Sequence, residues 1–367
     1  MKILFLNRRD IINPDSGGAE VYTHEIAKGL VEKYNCTVSV FASHFSSGKK
    51  EEIVDGVKYI RNGSEFSVHL RGFLYAVRHR KQFELIIDEF NGSGFFTFLL
   101  SNSILLIHQL YKEFWLWEWG VLGIVPYVLE PVMLKLYKNK MAITVSNSTK
   151  DDLQRLGFKN IRIIMNGLKN PPLDSSPKKT ERPTMVFLGR LKSTKRPEDA
   201  IEIFIKIKEK ISNAQLWIIG RGPDEKKLQQ KAAGIDGITF WGWVDEGRKI
   251  ELLRKAHILL VPGAREGFGI NVIEAASAGT PSVGYNVHGL RDAIIHGETG
   301  FLVNNMNEAA SAVIEIFSKN DFYQKISQNC LNYARDFDWD KRAEEFWQKI
   351  SMGKDNGKQN ISTSSNV

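Results

Sequence analysis

Short apolar runs alternate with amphipathic helical stretches twice along this chain, and a proline-broken segment separates the two series. Strand and helix in alternation restrict a chain to sheets covered by helices, since each strand must bury its side chains against the helices that follow it. In the first half Lys2 to Asn7, Thr37 to Phe41, Leu85 to Asp88, Ile104 to Ile107, Ala142 to Val145 and Arg162 to Ile164 read as buried strands, and an amphipathic helix is expected from about Ala19 to Tyr34. This half reads as a doubly wound sheet.

Residues 168–183 hold four prolines among Asn, Ser and Lys and lack apolar periodicity, which predicts an interdomain linker. The alternation then restarts. Thr184 to Leu188, Gln215 to Ile219, Ile238 to Trp241, Ile258 to Val261, Ser282 to Tyr285 and Phe301 to Val303 are the expected strands, with helices such as Pro197 to Lys210 and Asp245 to Lys255 between them. The fold class is therefore α/β with two Rossmann-like domains, 1–167 and 184–337, joined by the linker. A last amphipathic helix is expected over 338–352, and the polar residues 353–367 are expected to be disordered.

Composition agrees with two cores: 43% of the 367 residues are hydrophobic. A formal charge of +8 favours anionic partners without choosing among them. Cys36 and Cys330 are the two cysteines, far apart and without metal-ligand spacing, so neither a disulfide framework nor a zinc site is expected, and a reducing compartment is. The first strand begins at Lys2, which is read as leaving no room for a signal peptide. A cytoplasmic location follows from these readings as an expectation.

The chemistry concentrates in Arg265-Glu266-Gly267-Phe268-Gly269-Ile270-Asn271-Val272-Ile273-Glu274. If Gly267 to Gly269 turn the chain into a helix beginning near Asn271, Glu266 stands ahead of the helix N-terminus and Glu274 lies one to two turns inside it. The unpaired N–H groups of that terminus face an anion, and two carboxylates beside them suit sugar and ribose hydroxyls. The plain alternative is a pair of solvated glutamates, one complementing the helix dipole. The preceding strand, His257 to Pro262, and the closing Gly279 and Pro281 favour the site, since they make a strand, turn and helix at a parallel-sheet edge.

Other residues join it by the same topological logic. Gly189, Arg190 and Lys195 follow the first strand of the second half, at the carboxyl edge where open α/β sheets bind ligands. An Arg fork and a Lys charge suit a diphosphate. Gly220-Arg221-Gly222-Pro223 repeats the strand-to-turn pattern and is read as lining a base or ribose pocket. It lacks the spacing of a nicotinamide dinucleotide fingerprint. Gly17 and Gly18 precede the first helix and would let backbone N–H groups approach a phosphate. His108, at a strand end, is a candidate for the reacting centre, with a structural histidine as its alternative.

Taken in order, Gly17-Gly18-Ala19-Glu20, His108, Ser146-Asn147-Ser148-Thr149, Asn166-Gly167, Gly189-Arg190 with Lys195, Gly220-Arg221-Gly222-Pro223 and the Glu266/Glu274 motif resemble glycosyltransferase family 4. The resemblance spans nearly the whole chain. It implies the GT-B fold, with two Rossmann-like domains facing a central cleft, the N-terminal one binding the acceptor. It implies sugar transfer from a nucleotide donor with retention, no cofactor and no metal. Carried over by position, Arg190 and Lys195 bind the donor diphosphate and Glu274 the ribose. Glu266 with Gly267, Phe268, Gly269 and Ile270 holds the donor sugar, Gly18 closes on the phosphates, and His108 serves the reacting sugar. The final helix is implied to return to the N-terminal domain.

The expected partners are a nucleotide-sugar donor and a saccharide or lipid-linked acceptor, with no nucleic acid. The alternative enzyme class is a nucleotide-sugar epimerase of the same architecture, and a binding protein with a decayed site is the third reading. Asp336-Phe337-Asp338 and Asp338-Trp339-Asp340 look like Asp-x-Asp metal motifs, but they precede a helix, so capping is the better account. Residues 110–140 are apolar and aromatic, with Trp115, Trp117 and Trp119, and end in Lys135, Lys138 and Lys140. They read either as an interfacial membrane segment, with Arg71, Arg78, Arg80 and Lys81 as a nearby basic patch, or as a packed helical excursion. Glu118, Gly123, Pro126, Glu130 and Pro131 interrupt the run, which argues against a spanning helix. The membrane reading places the protein peripherally on the inner face of the cell membrane.

Overall fold

The structure is a computed structural model that describes the backbone of residues 1–359 and the side chains of residues 1–351. It divides into two compact units. Unit 1 comprises Met1–Lys112, Ile124–Gly167 and the chain from Asp338 onward; unit 2 comprises Glu113–Gly123 and Leu168–Phe337.

In unit 1 the elements run β1 (Lys2–Leu6), α1 (Gly18–Tyr34), β2 (Thr37–Ala42), β3 (Glu51–Val54), β4 (Val57–Arg61), α2 (Val68–Arg78), β5 (Leu85–Glu89) and β6 (Ser103–Ile107). The chain then passes α3 (Phe114–Trp119), which belongs to unit 2, and continues with α4 (Ile124–Leu136), β7 (Ala142–Thr144), α5 (Asn147–Arg155) and β8 (Ile161–Ile163). The sheet order is β3-β4-β2-β1-β5-β6-β7-β8, parallel except for the β3/β4 pair. Ile3, Leu4, Phe5 and Leu6 of β1 are fully buried, as a central strand with helices on both faces requires. The β3/β4 hairpin was not anticipated. Its signal was Asp55-Gly56, whose positive φ angles of 49° and 77° make the tight turn that such a dipeptide favours.

Unit 2 contains β9 (Thr184–Leu188), α6 (Pro197–Lys208), β10 (Gln215–Ile219), α7 (Glu225–Ala232), β11 (Ile238–Gly242), α8 (Glu246–Lys255), β12 (Ile258–Val261) and α9 (Ile270–Ser277). There follow β13 (Ser282–Tyr285), α10 (Leu290–Ala293), β14 (Gly300–Val303), α11 (Met306–Ser318) and α12 (Asn320–Ala334). All strand pairs are parallel, in the order β11-β10-β9-β12-β13-β14. Met185, Leu216, Ile218, Ile258 and Leu260 on the strands pack with Ile201 and Phe204 of α6 and Val313 and Ile316 of α11.

The final helix, α13 (Trp339–Gln359), belongs to unit 1 and lies along α1. Gly29 permits the approach: a Cβ there would stand 2.4 Å from the Cβ of Ala343. Phe346 packs on Phe5 of β1 with ring centroids 6.1 Å apart, and Trp347 stacks on Tyr34 at 4.9 Å. The helix runs past its expected end at 352. Of the tail read as disordered, 360–367 lie outside the described residues. Asp338 Oδ1 accepts the N–H of Asp340 at 2.8 Å, a capping contact.

Two boundaries differ from the sequence reading. Residues 168–183 form part of unit 2: Leu173 N–H bonds Ser277 O at 3.1 Å, Ser176 and Ser327 hydroxyls lie 2.7 Å apart, and Lys179 Nζ reaches Thr280 Oγ1 at 2.8 Å. The prolines there fix an extended path over a packed surface instead of freeing a linker. Glu113–Gly123, read as N-terminal domain, clusters with unit 2 because Glu118 pairs with Lys192 at 2.5 Å and the Trp117 ring lies 5.9 Å from the Arg196 guanidinium.

By length and composition alone Phe114–Leu136 could cross a membrane. Its geometry departs from one straight helix. A Cβ on Gly123 would fall 1.9 Å from Trp115 O, whereas eight residues of straight helix span about 12 Å. Two residues read as polar features of this segment serve the fold. Glu130 is buried and accepts the N–H groups of Tyr111 and Lys112 at 2.7 and 2.8 Å, and Lys140 Nζ caps Leu100 O.

Candidate active site

In unit 2, β9 has β10 on one side and β12 on the other, so the connections leaving β9 and β12 diverge at a topological switch point. Both loops carry candidate residues. Lys195, after β9, places Nζ 2.5 Å from each carboxylate oxygen of Glu266, after β12. Glu266 is 8% exposed. The two loops are tied by Ala264 N–H to Thr194 O at 3.1 Å, and Asn271 Nδ2 bonds Leu188 O at 3.0 Å, which fastens α9 to the end of β9. Glu266 is fixed by its backbone as well: its N–H bonds His288 O at 2.9 Å, and its carbonyl lies 3.0 Å from His288 Nδ1. Gly289, at φ 83°, leaves room for this, since a Cβ would sit 2.1 Å from Glu266 O.

Gly269 takes φ 99° and turns the chain into α9, with no side chain capping its first N–H groups. Those groups follow Glu266 closely in sequence and are the helix end read as an anion site. Phe268 is buried against Phe337, with ring centroids 5.7 Å apart, and anchors the Gly267–Ile270 turn. Glu274, one turn into α9, is held by Lys249 of α8, whose Nζ lies 2.7 Å from Glu274 Oε1 and 2.9 Å from Glu246. Burial raises the Glu274 carboxyl above its ordinary range. Burial also pulls the Lys249 amine down, but Glu274 and Glu246 outweigh it and keep the ammonium charged.

The glycines of the neighbouring loops have a structural cause. Gly220, at φ 132°, lies against Gly189, so that a Cβ would stand 2.0 Å from Gly189 O; one on Gly222 would stand 2.2 Å from Leu191 O. Leu191 N–H to Arg221 O at 2.9 Å and Asp224 N–H to Leu191 O at 3.0 Å stitch the two loops together. Arg190 and Arg221 stand exposed on them. The structure thus joins Lys195 to Glu266 and Glu274 to Lys249, while the two arginines project from adjacent turns.

Unit 1 has a switch point of its own, between β1 and β5. His108 follows β6, with Nε2 4.0 Å from Glu89 Oε2 at the end of β5. Both atoms are buried and have no hydrogen-bond partner among the described residues. Thr23 of α1 donates to the other Glu89 oxygen, and the Tyr22 ring meets His108 edge-on at 5.1 Å. Burial lowers His108 to about 4, which leaves its ring neutral near pH 7, and pushes Glu89 well above the usual carboxylate range. Gly17 caps α1, and its N–H is taken by Glu20 Oε2 at 2.7 Å. Glu20, three residues on, thus supplies the carboxylate half of a capping box, and glycine has no side chain to supply the other half.

Two sequence families lie end to end on the chain: "Glycosyltransferase Family 4" on residues 16–169 and "Glycosyl transferases group 1" on residues 173–336. The chain belongs to glycosyltransferase family 4. This family-4 chain is 28% identical over 234 residues to glycogen synthase of Mycobacterium tuberculosis, covering 61% of the chain and 56% of that protein. It is 30% identical over 185 residues to phosphatidyl-myo-inositol mannosyltransferase of Mycobacterium leprae, covering 48% of the chain and 49% of that protein. The family-4 chain therefore spans about half the length of these curated relatives. Its fold matches sucrose-phosphate synthase from Thermosynechococcus elongatus with a TM-score of 0.78 at 19% identity, over 96% of this chain and 98% of that one. The architecture is GT-B.

Lys249 and Glu89 escaped the sequence reading. Lys249 lies on an amphipathic helix with several cations, and only the packing of α8 on α9 brings it to Glu274. Glu89 ends a buried strand, and a carboxylate directly after Leu85-Ile86-Ile87-Asp88 was the signal available.

Proposed function

We propose that this chain is a retaining glycosyltransferase that moves a hexosyl-type sugar from a nucleotide-sugar donor to a saccharide or lipid-linked saccharide in cell-surface polysaccharide or glycoconjugate synthesis. The Lys195–Glu266 pair at the β9/β12 switch point, one turn ahead of the open N-terminus of α9, carries the reading. An ammonium has three N–H donors. Two meet Glu266 and the third serves the donor diphosphate, with Arg190 and the α9 N–H groups beside it. Glu274 Oε2 accepts ribose hydroxyls while Lys249 holds Oε1. Glu266 and the Gly267–Ile270 turn take the sugar.

In the reaction the bond from the anomeric carbon to the diphosphate breaks with its electron pair going to the phosphate oxygen. The acceptor oxygen bonds to that carbon on the same face, and its proton passes to the departing diphosphate. Lys195 and Arg190 stabilise that developing charge, and no metal is needed. His108 serves the reacting sugar as the resemblance to family 4 implies, in its neutral form.

The exposed apolar residues of α4, Val125, Val128 and Val132, with Lys135 and Lys138, support peripheral contact with an anionic cytoplasmic membrane face. The test is a panel of nucleotide sugars with saccharide and lipid-linked acceptors in EDTA, read by NMR of the new anomeric centre. Transfer with retained configuration is expected. An altered nucleotide sugar released without acceptor, an inverted product, or no turnover with any donor would each overturn it.

A further inference from the structure

A cavity lies on unit 2, at the edge of the sheet opposite the Lys195–Glu266 loops. Its volume is about 480 Å³, and Lys178, Lys179, His257, Asn320, Tyr323 and Gln324 are among its lining residues. His257 immediately precedes β12, whereas Glu266 follows that strand, so the length of the strand, about 13 Å, lies between the cavity edge and the start of the Glu266 loop. The two sites are distinct.

Several lining side chains offer hydrogen-bond donors. Tyr323 is 6% exposed, and its buried hydroxyl has no partner among the described residues. His257 Nδ1 accepts the Thr184 N–H at 3.2 Å, which puts the proton of the neutral ring on Nε2 as a donor. Lys179 Nζ donates to Ala278 O at 3.1 Å and to Thr280 Oγ1 at 2.8 Å, with a third N–H left over. Lys178 adds a second cation, and α12 begins at Asn320 with no side-chain cap on its N-terminus. Among the described residues no Asp or Glu lines the cavity; Asp321 is exposed and is not part of the lining.

A group of donors with no carboxylate to receive them is complementary to a tetrahedral oxyanion. The Phe317 ring, 5.4 Å from His257, and the Tyr323 ring give the same cavity aromatic walls, and its volume exceeds what one phosphate fills. We propose that this cavity binds a small organic phosphate, with the phosphoryl group on Lys179, Tyr323 and His257 and the organic body against the aromatic rings. Burial already draws Lys179 down to about 7, and an arriving dianion supplies the counter-charge that restores its ammonium form.

Calorimetric titration of the full chain with phenyl phosphate and with inorganic phosphate tests this. Saturable binding is expected for both, several-fold tighter for phenyl phosphate because its ring has walls to meet. Tyr323→Phe keeps the ring packing and removes the hydroxyl; it should weaken phenyl phosphate about tenfold, and Lys179→Met by at least as much. Lys195→Ala, at the other edge of the sheet, should leave the affinity unchanged. The proposal is overturned by absence of saturation up to about 10 mM, or by binding that Lys195→Ala abolishes. Binding that Tyr323→Phe leaves intact overturns it equally.

Discussion

The ammonium of Lys195 sits 2.5 Å from both carboxylate oxygens of Glu266, although the residues are 71 positions apart and lie on loops leaving two adjacent parallel strands. Neither partner is exposed enough for the pair to be an ordinary surface bridge: their side chains are 30% and 10% exposed. Removing the lysine leaves a carboxylate almost buried without a counter-charge, at the place proposed to receive a diphosphate. Lys195→Ala and Glu274→Ala should each lower turnover of the nucleotide-sugar donor by about 100-fold or more. Initial-rate measurements with a folded variant check this, and a full-rate Lys195→Ala enzyme would remove the site assignment.

Lys249 touches Glu274 and Glu246 and is placed to hold a binding group. Lys249→Met should raise KM for the donor about tenfold with a smaller effect on kcat, the pattern of lost ground-state positioning. Equal falls in kcat and kcat/KM at unchanged KM would assign it a different role.

Gly220 combines φ 132° with a backbone oxygen 2.0 Å from the position of a Cβ. Gly220→Ala should cost about 2–4 kcal/mol, since strain and a backbone clash add. Gly234→Ala, at φ 79° with open space around it, should cost about 1 kcal/mol. Thermal unfolding of the two variants side by side gives the comparison.

Stability should depend on pH through Lys179. Its folded pKa is about 7 against an ordinary 10.5, so between these values the unfolded chain binds a proton that the folded chain refuses. Stability therefore rises as pH increases from 7 towards 10.5, and the part due to Lys179 is a few kcal/mol. Urea unfolding at pH 7 and pH 9 should show the rise, and Lys179→Met should flatten it.

Membrane partition should follow the exposed face of α4. Val125→Ser together with Val128→Ser should reduce co-sedimentation with anionic vesicles several-fold. The tryptophans contribute less uniformly, because Trp115 buries its indole nitrogen and Trp117 packs by Arg196. Unchanged sedimentation of the double variant would assign this face to something other than lipid.

By itself the sequence determined the α/β class, the strands of both sheets except the β3/β4 hairpin to within a residue or two, and the positions of Lys195, Glu266 and Glu274 at strand ends and a helix start. These are legible because apolar period, glycine turns and strand-end position are local properties of the chain. Tertiary structure alone decided the rest. Whether Lys249 and Glu130 face solvent or a partner depends on which helix or loop packs beside them, and the close backbone contact of Gly220 with Gly189 exists only once β9 and β10 pair. The cavity under Tyr323 is assembled from residues 176–179, His257 and the start of α12. No local pattern records such a meeting, because it is fixed by the packing of segments far apart in the chain.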